Sequence, residues 1–292
     1  MSNRLNATIA TVAVLCLAGG AGYWLYARGA AVALPAAASS PAPTPPAPRD
    51  DFRSLPAKPS GELARVTAAA ADPGALRSGE ILEYTADVAK LSNVANLRLQ
   101  IAERRNFLGK SAVHLQAFAR TENPLRMMFE LDDQFDSYSD AGSLTSLQYE
   151  MHLSERGQKV DSVQRMTATG KDPAPANVTE ARVLPGTRDP LGLMQYLRTV
   201  DWSKAREVSG PVYDGHKLYD VKSTLASPST PVVVPAGHFD ASKVEIRVFQ
   251  NGVELSDAHF FAYFAHNDAR TPVLLEAVMP FATARVALTT KK

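Results

Sequence analysis

From Gly79 to the C-terminus, apolar residues recur at every second position, and this period constrains the chain more than any other feature. Successive side chains of a strand point to opposite faces, so strict alternation makes one face apolar and the other polar. In NLRLQIAE, Leu97, Leu99 and Ile101 alternate with Arg98 and Gln100. In SLQYEMHLS, Leu147, Tyr149, Met151 and Leu153 alternate with Gln148, Glu150 and His152. In KVEIRVFQNGVEL, Val244, Ile246 and Val248 share one face. Asn251-Gly252 then marks a hairpin, because both residues tolerate positive φ. Asp214-Gly215 marks a second turn. Further strands are predicted near 112–120, 125–131, 160–168, 217–225, 258–266, 272–279 and 283–290.

One segment departs from the period. TRDPLGLMQYLRTVDW carries Asp189, a helix-capping residue, followed by Pro190, which suits the first helical turn. Leu191, Met194 and Leu197 recur at helical spacing, although Gly192 speaks against a helix. About ten short antiparallel strands and one short helix predict a mainly β fold, an antiparallel β-barrel or strongly curved sheet. A long sheet curls or closes, which removes its exposed edges.

Ahead of this domain lie two segments of different character. ATIATVAVLCLAGGAGYWLY, residues 7–26, carries no charge over 20 residues. As a helix it spans about 30 Å, the thickness of a bilayer's hydrocarbon core. Tyr23, Trp24 and Tyr26 gather at one end as interfacial aromatics do, with Arg4 before the span and Arg28 after it. Residues 1–28 therefore read as an N-terminal transmembrane helix with a cytoplasmic N-terminus and an exported remainder. The rival reading is a cleaved signal peptide, for which ALPAAASS supplies small residues. The sole cysteine, Cys16, sits mid-span behind Leu15, where a lipoprotein signal needs a small residue. Residues 29–78 are Pro/Ala-rich and form a linker, exemplified by PAAASSPAPTPPAPRDD. ELARVTAAAAD, residues 62–72, has the makings of a short helix. Residues 79–292 remain as the β-rich domain.

Charge and motifs exclude several functions. A net charge of +1, from 31 basic and 30 acidic residues, gives no basic field for nucleic acid. The six histidines show no HExxH spacing, and neither a G-x-S-x-G elbow nor a phosphate-binding glycine loop occurs. No catalytic residue, cofactor or metal site is expected. Asp132, Asp133 and Asp136 lack the glycine and terminal Glu of a calcium loop and read as a solvated turn. In FAHNDARTPVLLEA, Asp268 and Arg270 read as a charged pair across a strand connection.

Two sets of residues suggest a ligand. LRMMFEL and HFFAYFAH place Met127, Phe129, Phe261 and Tyr263 in predicted strands, as candidates to line an apolar cavity. Arg188 and Arg198 flank the predicted helix and are candidates to contact an anionic head group. Read structurally instead, Asp189 caps the helix and Arg198 complements the dipole at its C-terminal end.

Five segments occur in order: SGEILEYTADV, FDSYSDAGSLTSLQYEMHLSERG, TRDPLGLMQYLRTVDW, VPAGHFDASKVEI and NDARTPVLLEA. Together they resemble the bacterial envelope proteins of the domain-of-unknown-function 3108 family, over about residues 79–290. One departure is Phe264-Ala265-His266, where the family pattern has a Trp before the N-D segment. The resemblance implies an exported, mainly β domain in Gram-negative bacteria. With the uncharged span at 7–26 and the strand pattern, the expectation is a lipocalin-like or LolA-like half-barrel anchored by a single pass in the inner membrane and facing the periplasm. It brings no activity. The leading expectation is binding of an apolar or amphipathic ligand such as a lipid. The alternatives are a protein-interaction scaffold in envelope assembly with a filled barrel, and an envelope hydrolase.

Overall fold

The computed structural model describes residues 73–292 apart from 168–174, 176, 256–258 and 281. The predicted transmembrane helix, the linker up to residue 72 and the helix at 62–72 lie outside the described residues. The rest of the predicted linker, 73–78, is described, and its Ala75 and Leu76 are buried. A 3-10 turn at Pro73–Ala75 leads into β1 (Ile81–Val88), β2 (Leu91–Phe107) and β3 (Lys110–Thr121). A short helix, α1 (Leu125–Met128), precedes β4 (Asp132–Asp140), β5 (Ser146–Glu155), β6 (Gln158–Thr167) and β7 (Thr179–Arg182). Helix α2 (Pro190–Thr199) follows, then β8 (Glu207–Tyr213), β9 (Leu218–Val234), β10 (Gly237–Gln250) and β11 (Val253–Glu254). The chain ends with β12 (His259–Ala265), β13 (Pro272–Met279) and β14 (Ala282–Lys291).

The fourteen strands make one sheet, in the order β7-β6-β5-β4-β3-β2-β1-β14-β13-β12-β10-β9-β8, with β11 paired to β10. Among the strands of the described residues, only β6 and β7 run parallel. The alternation read from the sequence sets the faces. Leu82, Tyr84, Ala86 and Val88 of β1 are buried, and the residues between them are half-buried. The side chains of Tyr84, Leu97 and Ala119 stand in one row across three strands on the inner side. Burying a large apolar side chain such as Leu82 or Ile101 contributes roughly 1.5–3 kcal/mol. A slip of one residue would turn every such group outward, so burial fixes the register.

The sheet stays open but curls until its β5–β6 side and its β8 edge are joined through the segment ahead of α2. The Thr187 carbonyl accepts from the Ser146 N–H of β5 at 3.1 Å. The next residue, Arg188, bridges to β8, donating to the Pro211 carbonyl and accepting from the Tyr213 N–H. Gln164 of β6 adds a bond to the Gly215 carbonyl at 2.7 Å. Gly215 has φ +96, and a Cβ there would lie 2.5 Å from the Met151 methyl, so the β8–β9 turn both requires glycine's conformation and seats tightly against β5.

Helix α2 lies inside this curl, packed against β3, β4, β8 and the initial 3-10 turn. Its residues are buried all round except Leu193, as expected for an interior helix. Asp189 caps it, accepting from the Gly192 N–H at 2.8 Å. A Cβ on Gly192 would come within 3.0–3.1 Å of Ser146 Oγ, Leu144 O and Ser139 Oγ. The glycine that speaks against a helix in sequence is what lets the helix approach the sheet.

Two predicted elements are corrected. Residues 125–131 are not a strand: Pro124 opens α1, which leads to the buried Phe129 and Leu131. Asp132, Asp133 and Asp136 are not a turn. They lie in β4, where period two sends Asp133 inward and Asp132 and Asp136 outward.

Candidate functional site

The interior is organised around a charge. The Arg198 side chain is 0% exposed and that of Glu80, just ahead of β1, 4%. Arg198 Nη1 and Nη2 donate to the two Glu80 carboxylate oxygens at 2.6 and 2.9 Å. Arg198 Nε donates to the Ala269 carbonyl at 2.6 Å, and further contacts reach Gln195 Oε1 and the Ala75 carbonyl. A buried guanidinium with this many acceptors is a structural clamp. Arg198 is therefore not a contact for an external head group, because no part of it reaches the surface.

The strand connection at 267–271 meets the same helix end. Arg270 Nη1 donates to the Thr199 carbonyl at 2.6 Å, so each partner sends an arginine to the other's backbone. Asn267 Oδ1 accepts from the Thr271 N–H at 3.1 Å and closes the turn. Arg270 thus serves the end of α2, and among the described residues no ion pair joins it to the exposed Asp268.

Arg188 is also removed from the surface, at 6% exposure. Its guanidinium lies 3.7 Å from the Tyr196 ring centroid and donates to the Ser143 carbonyl at 2.9 Å. Burial pulls its pKa below the usual arginine range. The space beside it, between α2 and the β8–β9 pair, is about 10 Å³, room for one water. Asp189 is buried beside it, and desolvation raises its carboxyl despite hydrogen bonds from Ser137, Ser146 and the helix N–H groups.

The four residues expected to line a cavity are not brought together. Met127 projects from α1 at 83% exposure. Phe129 ends that helix in the core, with Arg156 over its ring at 4.7 Å. Phe261 and Tyr263 stand on the outward side of β12, under Lys243 Nζ at 4.0 and 5.4 Å. The Tyr263 hydroxyl donates to Glu276 at 2.6 Å, and burial with this carboxylate raises its pKa. Among the described residues, no group of three or more His, Cys, Asp or Glu is placed to hold a metal ion.

A larger cavity, about 580 Å³, lies on the solvent side of β1–β4. Its floor follows one register row, Tyr84, Leu97, Ala119 and Asp133, whose side chains point inward. One wall is the adjacent outward row of Glu83, Arg98, Phe118 and Gln134. The other carries Asn96, Arg120 and Asp132. Arg98 lies over Phe118 at 5.6 Å, and Arg120 Nε approaches Asp132 at 3.5 Å. Thr289 closes one end. The β1–β14 register shifts between Glu83 and Tyr84, which makes Thr289 the extra residue of a bulge, and its hydroxyl donates to the Glu83 carbonyl at 2.9 Å. No local motif announces this trough. It appears only when the register aligns residues from five strands.

Residues 83–289 match the model of a family described as "Protein of unknown function (DUF3108)". The chain belongs to the DUF3108 family. The match runs from within β1 to within β14 and so takes in nearly all of the curled sheet of the DUF3108 domain and its enclosed helix. A comparison with curated proteins found no match. Among solved structures, the chain is similar to a β-barrel-like protein of domain of unknown function DUF1849 from Brucella abortus. Identity is 10%, coverage 74% of this chain and 97% of that one, and the TM-score 0.46. A Bacteroides fragilis protein described as exported, with a YmcC-like fold, is 11% identical, with coverage of 77% and 100% and a TM-score of 0.36. A protein described as a lipoprotein from Parabacteroides distasonis is 14% identical, with coverage of 74% and 96% and a TM-score of 0.35. Likenesses at this level bear on no function.

Proposed function

We propose that this DUF3108 domain is a binding module of the cell envelope that acts through the outside of its sheet, its interior serving as support. One observation carries this reading: α2 occupies the space inside the curl, locked there by the Arg198–Glu80 pair. The uncharged span at 7–26 and the Pro/Ala-rich linker support a module tethered to the inner membrane and facing the periplasm. An apolar ligand in the interior would have to displace α2 and strand two buried charges, at a cost of several kcal/mol for each ion. The trough's mixed polar walls also suit recognition at the surface better than an acyl chain.

The test is native mass spectrometry on the full chain in detergent micelles, with uptake of a fluorescent fatty-acid analogue measured alongside. The expected result is bare protein and no saturable uptake. A probe taken up saturably and displaced stoichiometrically by fatty acid would overturn the reading in favour of a lipid carrier.

A further inference from the structure

We propose that the trough across β1–β4 binds a neutral polysaccharide strand. This rests on the surface-binding reading and names its ligand class. Shape is the first argument. The trough runs across the strands from β14 to β4, and four inter-strand spacings give about 19 Å. Its volume of about 580 Å³ lies within the ordinary range for ligand sites. An extended chain of a few sugar units fits such a channel.

Charge is the second argument. The walls carry two cations, Arg98 and Arg120, and two carboxylates, Glu83 and Asp132. The charges balance, so the site selects neither a polyanion nor a cation. A nucleic-acid backbone or a phosphorylated head group would need a surplus of positive charge, which is not present.

The side-chain inventory is the third. Amides at Asn96 and Gln134, guanidinium groups and carboxylates supply both donors and acceptors, held in place by bonds from Asn96 to Glu122, from Gln134 to Asp136 and from Arg98 to Gln100. Hydroxyl groups, which donate and accept, match that mixture. Phe118 is half-buried in the wall with the Arg98 guanidinium over its ring at 5.6 Å, and the two together offer a flat surface for the C–H face of a sugar ring. A peptide strand could not add to the sheet here, because β1, β2 and β3 are each paired on both sides. The Thr289 bulge fixes one end of the channel, as bulges do where a sheet must re-aim a side chain.

The test is calorimetric titration of the full chain, in micelles whose head groups carry no sugar, with chitohexaose and cellohexaose. Saturable binding of at least one oligosaccharide is expected. Phe118→Ala should weaken it about tenfold, the loss of one good contact. Arg98→Ala removes an exposed wall residue without touching the core and should weaken it in the same direction, with circular dichroism unchanged. Heat from neither oligosaccharide, or undiminished binding in both variants, would overturn the assignment. Displacement of the oligosaccharide by dextran sulfate or by anionic phospholipid vesicles would overturn the neutral class. A fatty-acid probe taken up and displaced stoichiometrically bears on the interior and not on the trough, so the two readings fail separately.

Discussion

Arg198 grips the carboxylate of Glu80 with two nitrogens at 2.6 and 2.9 Å, across 118 residues of sequence. The pair joins the last turn of the interior helix to the start of the first long strand, and neither side chain has water to fall back on. Such a pair adds little net stability compared with apolar residues of the same shape, but removing Arg198 leaves the buried Glu80 with Lys291 Nζ, at 3.6 Å, as its remaining charged partner.

Arg198→Met should therefore destabilise the protein by about 3–5 kcal/mol, and adding Glu80→Leu should recover most of the loss. Urea unfolding of the single and double variants gives the coupling energy directly. If the two substitutions simply add, the pair is not the unit described above.

Gly192→Ala tests how closely α2 approaches the sheet. In an exposed helix this change would gain about 1 kcal/mol of helix propensity. Here the new methyl meets two hydroxyl oxygens and a carbonyl at 3.0–3.1 Å. Overpacking of this kind costs about 1–3 kcal/mol, so crowding should win and the variant should be less stable. A rise in the unfolding midpoint would mean that the helix sits further from Ser139 and Ser146 than described.

The strands were legible because a face buried at every second residue leaves a trace in any short window. LRMMFEL misled because a short apolar run suits a strand or a helix, and Pro124 decides between them. The acidic run at 132–136 misled because carboxylates are poor strand formers, yet β4 is held between β3 and β5 and pairing overrides propensity. Arg198 read as a head-group contact because a sequence shows a charge without its partner, and Glu80 is far away along the chain. Phe261 and Tyr263 share a face, as their spacing requires, but alternation cannot say which face is inward. Lys243 marks theirs as outward. The trough was not legible at all, since it depends on the register of five strands.

Asp133 should make stability depend on pH in an unusual direction. Burial raises its carboxyl from 3.8 to about 6, only partly opposed by the hydrogen bond from the Ser154 N–H at 2.8 Å. The folded state holds this proton more tightly than the unfolded state. The contribution is therefore full below about pH 4 and is lost as pH rises through 6. Between pH 4 and 7, the stability of the parent relative to Asp133→Asn should fall by something on the order of 2–3 kcal/mol. Other carboxylates titrate in both proteins, so the difference between the two urea curves isolates this group. A difference that stays flat, or grows with pH, would show that Asp133 is ionised throughout.

Arg270 and Asp268 separate a helix anchor from a surface charge. Arg270→Ala removes the donor to the Thr199 carbonyl at the C-terminal end of α2. A hydrogen bond from a charged group contributes about 1.5–3 kcal/mol, so a loss of that size is expected. Asp268→Ala changes an exposed residue at the turn and should stay within about 0.5 kcal/mol of the parent. Thermal unfolding of the two variants side by side is enough. Equal losses would restore the ion pair that the sequence suggested. The expected asymmetry would instead place the work of the motif in holding the interior helix shut against the sheet.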